Sequence, residues 1–368
     1  MEYTFADNIS GLKPSAIREI LKLSSKPGII PFSAGNPAVE AFPSKEVSKI
    51  TTDILQNNPI DALQYSVTEG YQPLREYMKK YMQSKYSVGT KQDDILITSG
   101  AQQVMNLATK VFVNKGDTII CEDPSFIGSL NAFRSFGCNL IGVKMDADGI
   151  NLEALENALK NNKNAKLLYL IPNFQNPTGI TMSLEKRKAV YEIAKKYKII
   201  ILEDNPYGEI RFSGEDLPSI KSFDTEGIVI YAGSFSKVLS PGMRVGYAIA
   251  NKEIISKLTV CKQTDDVHTS ILTQIIAYKF LTEYNFEAHL DKIRGIYRKK
   301  ANLCMELCDQ HLCPMVDYYK TEGGLFIWCK LPETVDVLDF TMKALDKKVA
   351  VVPGTAFSVD LTAKTDRI

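Results

Sequence analysis

The chain is short of histidine, with three, and of tryptophan, with one. Its 44 basic and 43 acidic residues leave a net charge of +1. A near-neutral chain with no basic block or stripe offers no electrostatic footprint for nucleic acid or an anionic membrane surface, so neither partner is expected. No apolar run is long enough to span a bilayer. The opening MEYTFADNISGLKPS has no basic segment followed by an apolar stretch, so a secretory leader is not expected. The seven cysteines lack metal-ligand spacing. Cys304, Cys308 and Cys313 come nearest, but they fall in a helical stretch where ordinary thiols are expected and no metal is. The odd count leaves at least one thiol free, which fits a reducing cytoplasm. His268, His289 and His311 all lie in the C-terminal helical part, so no histidine base is offered to the loop motifs.

What is present is an apolar chain, 45% hydrophobic over 368 residues, enough for two domains or one large domain with an appendage. Short β-branched runs recur at 94–99, 117–123, 139–143, 166–172, 198–204, 227–233 and 246–250. Near-continuous runs of this kind suit strands buried on both faces. Between several of them lie amphipathic helical stretches, such as QQVMNLATKVFV and LEKRKAVYEIAKKY. The alternation argues for an α/β fold with a mostly parallel sheet. From about 270 the pattern changes to a long helical stretch (271–312), then GGLFIWCKLP, a short helix near 336–346 and VAVVPG. The division expected is an arm over 1–48 that joins a smaller domain, a large domain over 49–270 and a smaller α+β domain over 271–368.

Five loop motifs fall at the C-terminal ends of expected strands, the edge where open α/β sheets bind ligands. In YAGSFSKVLSPGMRVGY, Lys237 stands among Ser234, Ser236 and Arg244. Hydroxyls and a fixed cation hold phosphate, and a lysine beside them suits Schiff-base chemistry with an aldehyde. Alone, it would be a surface lysine. In ITSGAQQVMN, Gly100 and Ala101 allow close backbone approach, and a helix opening near Gln102 favours an anion. An ordinary strand–turn–helix junction reads the same way. In ILEDNPYGEI, Asp204 could pair with a protonated heterocyclic nitrogen and Tyr207 could donate to a phenolic oxygen. A loop aspartate or an N-cap is the plainer alternative. In IPNFQNPTGI, Asn176 either projects its amide into the site or only shapes a turn. In CEDPSFIGS, Phe126 either stacks on an aromatic ligand or simply packs. Together they supply a Schiff-base lysine, a phosphate cradle, partners for a ring nitrogen and a ring oxygen, and a stacking face. Pyridoxal 5′-phosphate is the cofactor that needs this set.

The motifs SGAQQ, NPTG, EDNPYGEI, SFSKVLSPGMRVGY and GGLFIW, in this order, make the chain resemble a class I/II aminotransferase. It is most similar to the kynurenine/2-aminoadipate aminotransferase group of the fold-type I pyridoxal-phosphate superfamily. The likeness runs from PSAIREI to VVPGTAF, and the seven expected strands match the family's large-domain sheet. The resemblance implies that Lys237 carries the cofactor, Asp204 pairs with the pyridine nitrogen and Tyr207 reaches the ring oxygen. Asn176 would contact that oxygen and the substrate carboxylate. Gly100, Ala101, Gln102, Ser234, Ser236 and Arg244 would hold the phosphate. Phe126 takes the stacking place where relatives usually have tyrosine. In LQYSVTEGYQPLRE, Tyr65 would cross a homodimer interface to the partner's phosphate, giving shared active sites. Gly35, in SAGNP, would lie near the substrate, and Arg18, in KPSAIREI, would border the side-chain pocket. The family's carboxylate-binding arginine is either Arg367, in KTDRI, or a residue beyond it, and either way the resemblance implies that the smaller domain's last strand and helix are missing.

The activity implied is transamination between an L-amino acid (glutamate, 2-aminoadipate or an aromatic one) and a 2-oxo acid. A lyase or decarboxylase on the same fold shares the cofactor motifs. The sensing domain of a winged-helix regulator is the remoter alternative, since PSAIREI begins near residue 14.

Overall fold

A computed structural model describes residues 3–5 and 27–368. Arg18 lies outside the described residues. The strands, in chain order, are β1 (Ile30–Pro31), β2 (Asp93–Thr98), β3 (Thr118–Asp123), β4 (Asn139–Asp146), β5 (Gly149–Ile150), β6 (Ala165–Leu170), β7 (Ile200–Asp204), β8 (Val229–Ser234), β9 (Gly246–Asn251), β10 (Asp317–Tyr318), β11 (Cys329–Lys330) and β12 (Val349–Ala350). All seven expected strands form. They join in one sheet of order β2-β9-β8-β7-β6-β3-β4-β5, the two-residue β5 being an unexpected antiparallel edge. The β4–β3–β6–β7–β8 pairs are parallel, and β9 runs antiparallel to both neighbours. The reversal brings the start of β9 to the same edge as the ends of β2, β3, β6, β7 and β8.

Period-2 alternation divides the strands between two apolar layers. Ile119, Cys121, Leu167, Tyr169, Leu202 and Ile230 enter one core with Val104, Leu107 and Ala108 of the helix Ala101–Phe112. Ile120, Leu168, Leu170, Ile201 and Val229 enter the other, against Leu155, Val190 and Tyr191. Both faces are covered, which is why these strands read as continuous apolar runs. The helix Leu184–Tyr197 starts on Ser183, whose Oγ accepts from the Lys186 amide.

The long helical stretch expected over 271–312 is two helices, Ile271–Glu283 and Phe286–His311. The break falls at Tyr284–Asn285, where Asn285 leaves helical geometry and caps the second helix through the Ala288 amide. A side chain able to cap ends one helix and starts the next. Beyond them, β10 pairs with β11, and β1 pairs in parallel with β12. The C-terminal segment docks on the sheet edge: Ser125 N donates to Phe357 O (2.8 Å) and Val359 N to Asp123 Oδ1 (3.1 Å). Among the described residues no helix is long and apolar enough to cross a membrane, and no cluster of ligating side chains fits a metal ion.

Candidate active site

Ser234 ends β8 and the turn after it carries Ser236 and Lys237, with the Ser236 amide donating to Ser234 Oγ at 3.1 Å. Lys237 Nζ donates to the Gly35 carbonyl at 2.6 Å and lies 6.0 Å from the Tyr207 ring centroid. Burial first, and the Arg244 charge second, bring this amine down to about 8. A lysine normally fully charged at neutral pH is thus near the point of losing its proton.

Arg244 stands just ahead of β9 in left-handed geometry (φ 52°). Its guanidinium donates to Pro241 O and Ser99 O, both at 3.2 Å. It therefore lies against Gly100, where a Cβ would stand 2.3 Å from Nη2. Gly100 has φ +79° and begins the helix Ala101–Phe112 with no side-chain cap. A guanidinium packed beside the start of a helix is an arrangement suited to an anion. Gly246 allows the approach from the other side, since a Cβ there would meet Ala101 N at 2.7 Å.

Gln102 Nε2 donates to Gly128 O at 3.2 Å, and the Phe126 ring covers the same glycine, 2.5 Å from where its Cβ would be. The stacking candidate and the anion cradle meet across Gly128.

Asp204 ends β7 and is buried. Its Oδ2 accepts from the Tyr169 hydroxyl at 2.8 Å, whereas Oδ1 is buried without a partner among the described residues. Burial raises this carboxyl to about 7, against the opposing pull of the Tyr169 hydrogen bond. The Tyr207 hydroxyl accepts from Asn176 Nδ2 at 3.4 Å, and burial, then Asp204, pushes the phenol up. Asn176 Oδ1 is also buried without a partner. Phe326 crosses Tyr207 edge-on at 5.6 Å and lies against Gly35, where a Cβ would be 2.6 Å from its Cζ.

These contacts bring together Gly35, Lys237, Arg244, Gly100, Ala101 and Gln102, with Phe126 across Gly128. Asp204, Tyr207 and Asn176 form the other side, joined to Lys237 through Tyr207. Two expected residues stand elsewhere in the single chain. Tyr65 is 83% exposed and meets His268 edge-on at 5.9 Å. Arg367 bridges Lys330 in an antiparallel pair, and its carbonyl accepts from Gly354 N at 2.7 Å. Tyr169 and Phe326 are contacts that motif reading missed. A phenol inside the apolar run KLLYLIP was a signal, because a buried hydroxyl requires a partner.

The residues fit pyridoxal phosphate on the structure's own terms. A buried carboxylate oxygen lacking a donor is costly, and a protonated ring nitrogen supplies one. The Arg244 guanidinium packed on Gly100 at the start of a helix suits a phosphate, and the amine of lowered proton affinity suits an aldehyde.

Residues 27–368 match the family model "Aminotransferase class I and II". The chain is 39% identical to aromatic-amino-acid aminotransferase 1 of Thermococcus litoralis, over 97% of this chain and 86% of that protein. It is 38% identical to 2-aminoadipate transaminase of Thermus thermophilus, over 96% and 88%. The crystal structure of Pyrococcus horikoshii kynurenine aminotransferase with PMP superposes with a TM-score of 0.95 at 36% identity, covering 99% of this chain and 91% of that one. The chain belongs to the class I and II aminotransferases, fold-type I enzymes that use pyridoxal phosphate.

Proposed function

We propose that Lys237, Asp204 and Tyr207 carry the transamination, and that the amino acids served are glutamate together with 2-aminoadipate or aromatic ones. The observation that carries the residue assignment is the presence, at one sheet edge, of an amine brought down to about 8 and a buried carboxylate whose Oδ1 has no partner among the described residues. The substrate range rests on the relatives, whose names cover aromatic amino acids, 2-aminoadipate and kynurenine.

Bound pyridoxal phosphate supplies the aldehyde that accepts the amino group and the ring that takes up the electron pair left at the substrate Cα. Lys237 Nζ would hold that aldehyde and, as a free amine, would move a proton at the substrate Cα. The Gly35 carbonyl orients the amine through its hydrogen bond. Asp204 Oδ1 would hold the proton on the ring nitrogen, keeping positive charge where electrons must be drawn. Tyr207 and Asn176 would hold the ring oxygen, Phe126 would cover a ring face, and Ser234, Ser236, Arg244 and the amides of Ala101 and Gln102 would hold the phosphate, with Gly100 allowing its close approach. Arg367 is one candidate for the substrate carboxylate. It adjoins Gly354, whose turn reaches the sheet edge through the Phe357–Ser125 bond. Arg18 is assigned to the side-chain pocket on the resemblance alone.

The active unit in this reading is a homodimer. Tyr65 lies exposed beside Ile60, Leu63 and Val67, also exposed, a run of apolar surface that a second copy would cover.

The test is a pair of half-reactions. Holoenzyme mixed with glutamate should lose its aldehyde absorbance to the amine form and regain it with a 2-oxo acid. Lys237→Ala should do neither at a measurable rate. Decarboxylation or elimination without return of the aldehyde form would overturn the reading.

A further inference from the structure

We infer that Tyr169 is a positioning residue for Asp204, and that the helix Ile127–Ser135 sets it through Ser129 and Phe133. The inference rests on the proposed role of Asp204 at the ring nitrogen. Tyr169 lies on β6 and Asp204 ends β7, two parallel neighbours. Their register pairs Tyr169 with Leu202, so the two-residue period puts Tyr169 and Asp204 on one face. The Tyr169 hydroxyl donates to Asp204 Oδ2 at 2.8 Å.

That hydroxyl has one hydrogen, and its direction is fixed from behind. Ser129 Oγ donates to the Tyr169 oxygen at 2.9 Å, which leaves the phenol hydrogen for the carboxylate. Phe133, one turn further along the same helix, meets the Tyr169 ring edge-on at 5.2 Å and holds its plane. Ser129, Phe133, Tyr169 and Asp204 are all buried, so water does not compete for these bonds.

The consequence is an asymmetric carboxylate. Oδ2 is committed to protein, and Oδ1 has no donor among the described residues. A carboxylate free to rotate in a buried site would turn either oxygen toward a ring nitrogen. Fixing Oδ2 leaves one acceptor in one place. The same hydrogen bond favours the charged carboxylate against the cost of burial. The helix that does this begins immediately after its N-cap Phe126. One short element therefore carries the stacking ring and braces the partner of the ring nitrogen.

The experiment removes the hydroxyl alone. Tyr169→Phe keeps the ring against Phe133. The probe is pyridoxamine 5′-phosphate titrated into apoprotein, since it forms no bond to Lys237. Its Kd should rise about 10-fold, the scale of one hydrogen bond to a charged group. In the loaded enzyme kcat should fall by about the same factor with the KM for glutamate within about twofold, because a ring-nitrogen contact acts after the amino acid has bound. The analogue with C–H in place of the ring nitrogen should bind wild type and Tyr169→Phe within about twofold of each other, since it has no proton for Oδ1 to hold. In an Asp204→Asn background the change should add less than about twofold. Ser129→Ala should show the same pattern at about threefold, and it carries the test if Tyr169→Phe does not fold. Equal losses for both probes would make Tyr169 a packing residue and overturn the inference. A silent Tyr169→Phe beside an impaired Asp204→Asn would overturn it while leaving the role of Asp204 standing. An unimpaired Asp204→Asn would overturn both.

Discussion

Lys237 Nζ is 2.6 Å from the carbonyl oxygen of Gly35, a contact between residues 202 apart in the chain. It ties the loop after β8 to the segment after β1 and fixes where the amine points. It also accompanies a depressed proton affinity, with burial as the first cause and Arg244 as the second.

The sign of that depression sets a pH profile. Only the neutral amine attacks an aldehyde, and here it becomes neutral near pH 8 instead of near the ordinary 10.5. Capture of unphosphorylated pyridoxal by apoprotein should therefore accelerate with pH through about 8 and level off above it. Arg244→Gln should move the inflection upward, because one source of repulsion is removed. The folded-state value lies below the unfolded one, so the cost of the buried amine is fully present below pH 8 and shrinks as pH rises toward 10.5. Apo Lys237→Met should accordingly be more stable than apo wild type below pH 8, with a narrowing gap above. A capture rate still climbing at pH 10 would refute the depressed amine.

Gly100 is held to glycine by two independent constraints, a φ of +79° and the Arg244 guanidinium 2.3 Å from any added Cβ. Gly100→Ala should push the guanidinium aside and weaken cofactor affinity about 10-fold, the scale of one charge-assisted contact. Unphosphorylated pyridoxal should bind both proteins alike, and inorganic phosphate should compete less well in the variant. An equal loss for pyridoxal would mean that the glycine shapes the ring site instead of the phosphate cradle.

Most of this architecture is legible before any coordinates. Strands buried on both faces announce themselves as unbroken apolar runs, and punctuation by Ser, Gly, Pro and Asn marks the edge where Lys237, Asp204 and Gly100 gather. The break at Tyr284–Asn285 was not legible, because the apolar pattern continues across it and a single capping asparagine decides the matter. Tyr169 and Phe326 were missed for a related reason. Each sits within an apolar run, where a residue looks like core, and only the register between neighbouring elements shows what its side chain meets. Tyr65 is the reverse case, legible by resemblance but exposed in a single chain, with His268 as its ring contact.

Arg367 joins β11 through Lys330 and adjoins Gly354. If it holds the substrate carboxylate, Arg367→Lys keeps the charge and loses the planar fork that grips two oxygens at once. The KM for glutamate and the KM for the 2-oxo acid should then both rise, by about 10-fold, with a smaller fall in kcat. Steady-state kinetics with each substrate varied in turn checks this. A rise for one substrate alone, or for neither, would assign the carboxylate to another residue.

Tyr65 gives the sharpest test of the dimer. Its ring is 83% exposed and rests edge-on against His268, so nothing in its own chain's site explains it. In a shared-site homodimer each site takes Lys237 from one protomer and Tyr65 from the other. Lys237→Ala and Tyr65→Ala homodimers should both be severely impaired. In a hybrid of the two, one site holds both defects and the other holds neither. Random exchange of equal amounts makes half the dimers hybrid, each with one intact site of two, so about a quarter of wild-type activity should return. The recovery should follow the rate of subunit exchange and vanish if the dimers are cross-linked before mixing. No recovery despite exchange confirmed by mass would remove Tyr65 from the partner's site. Recovery that begins before any exchange would point to contamination by wild-type protein instead of complementation.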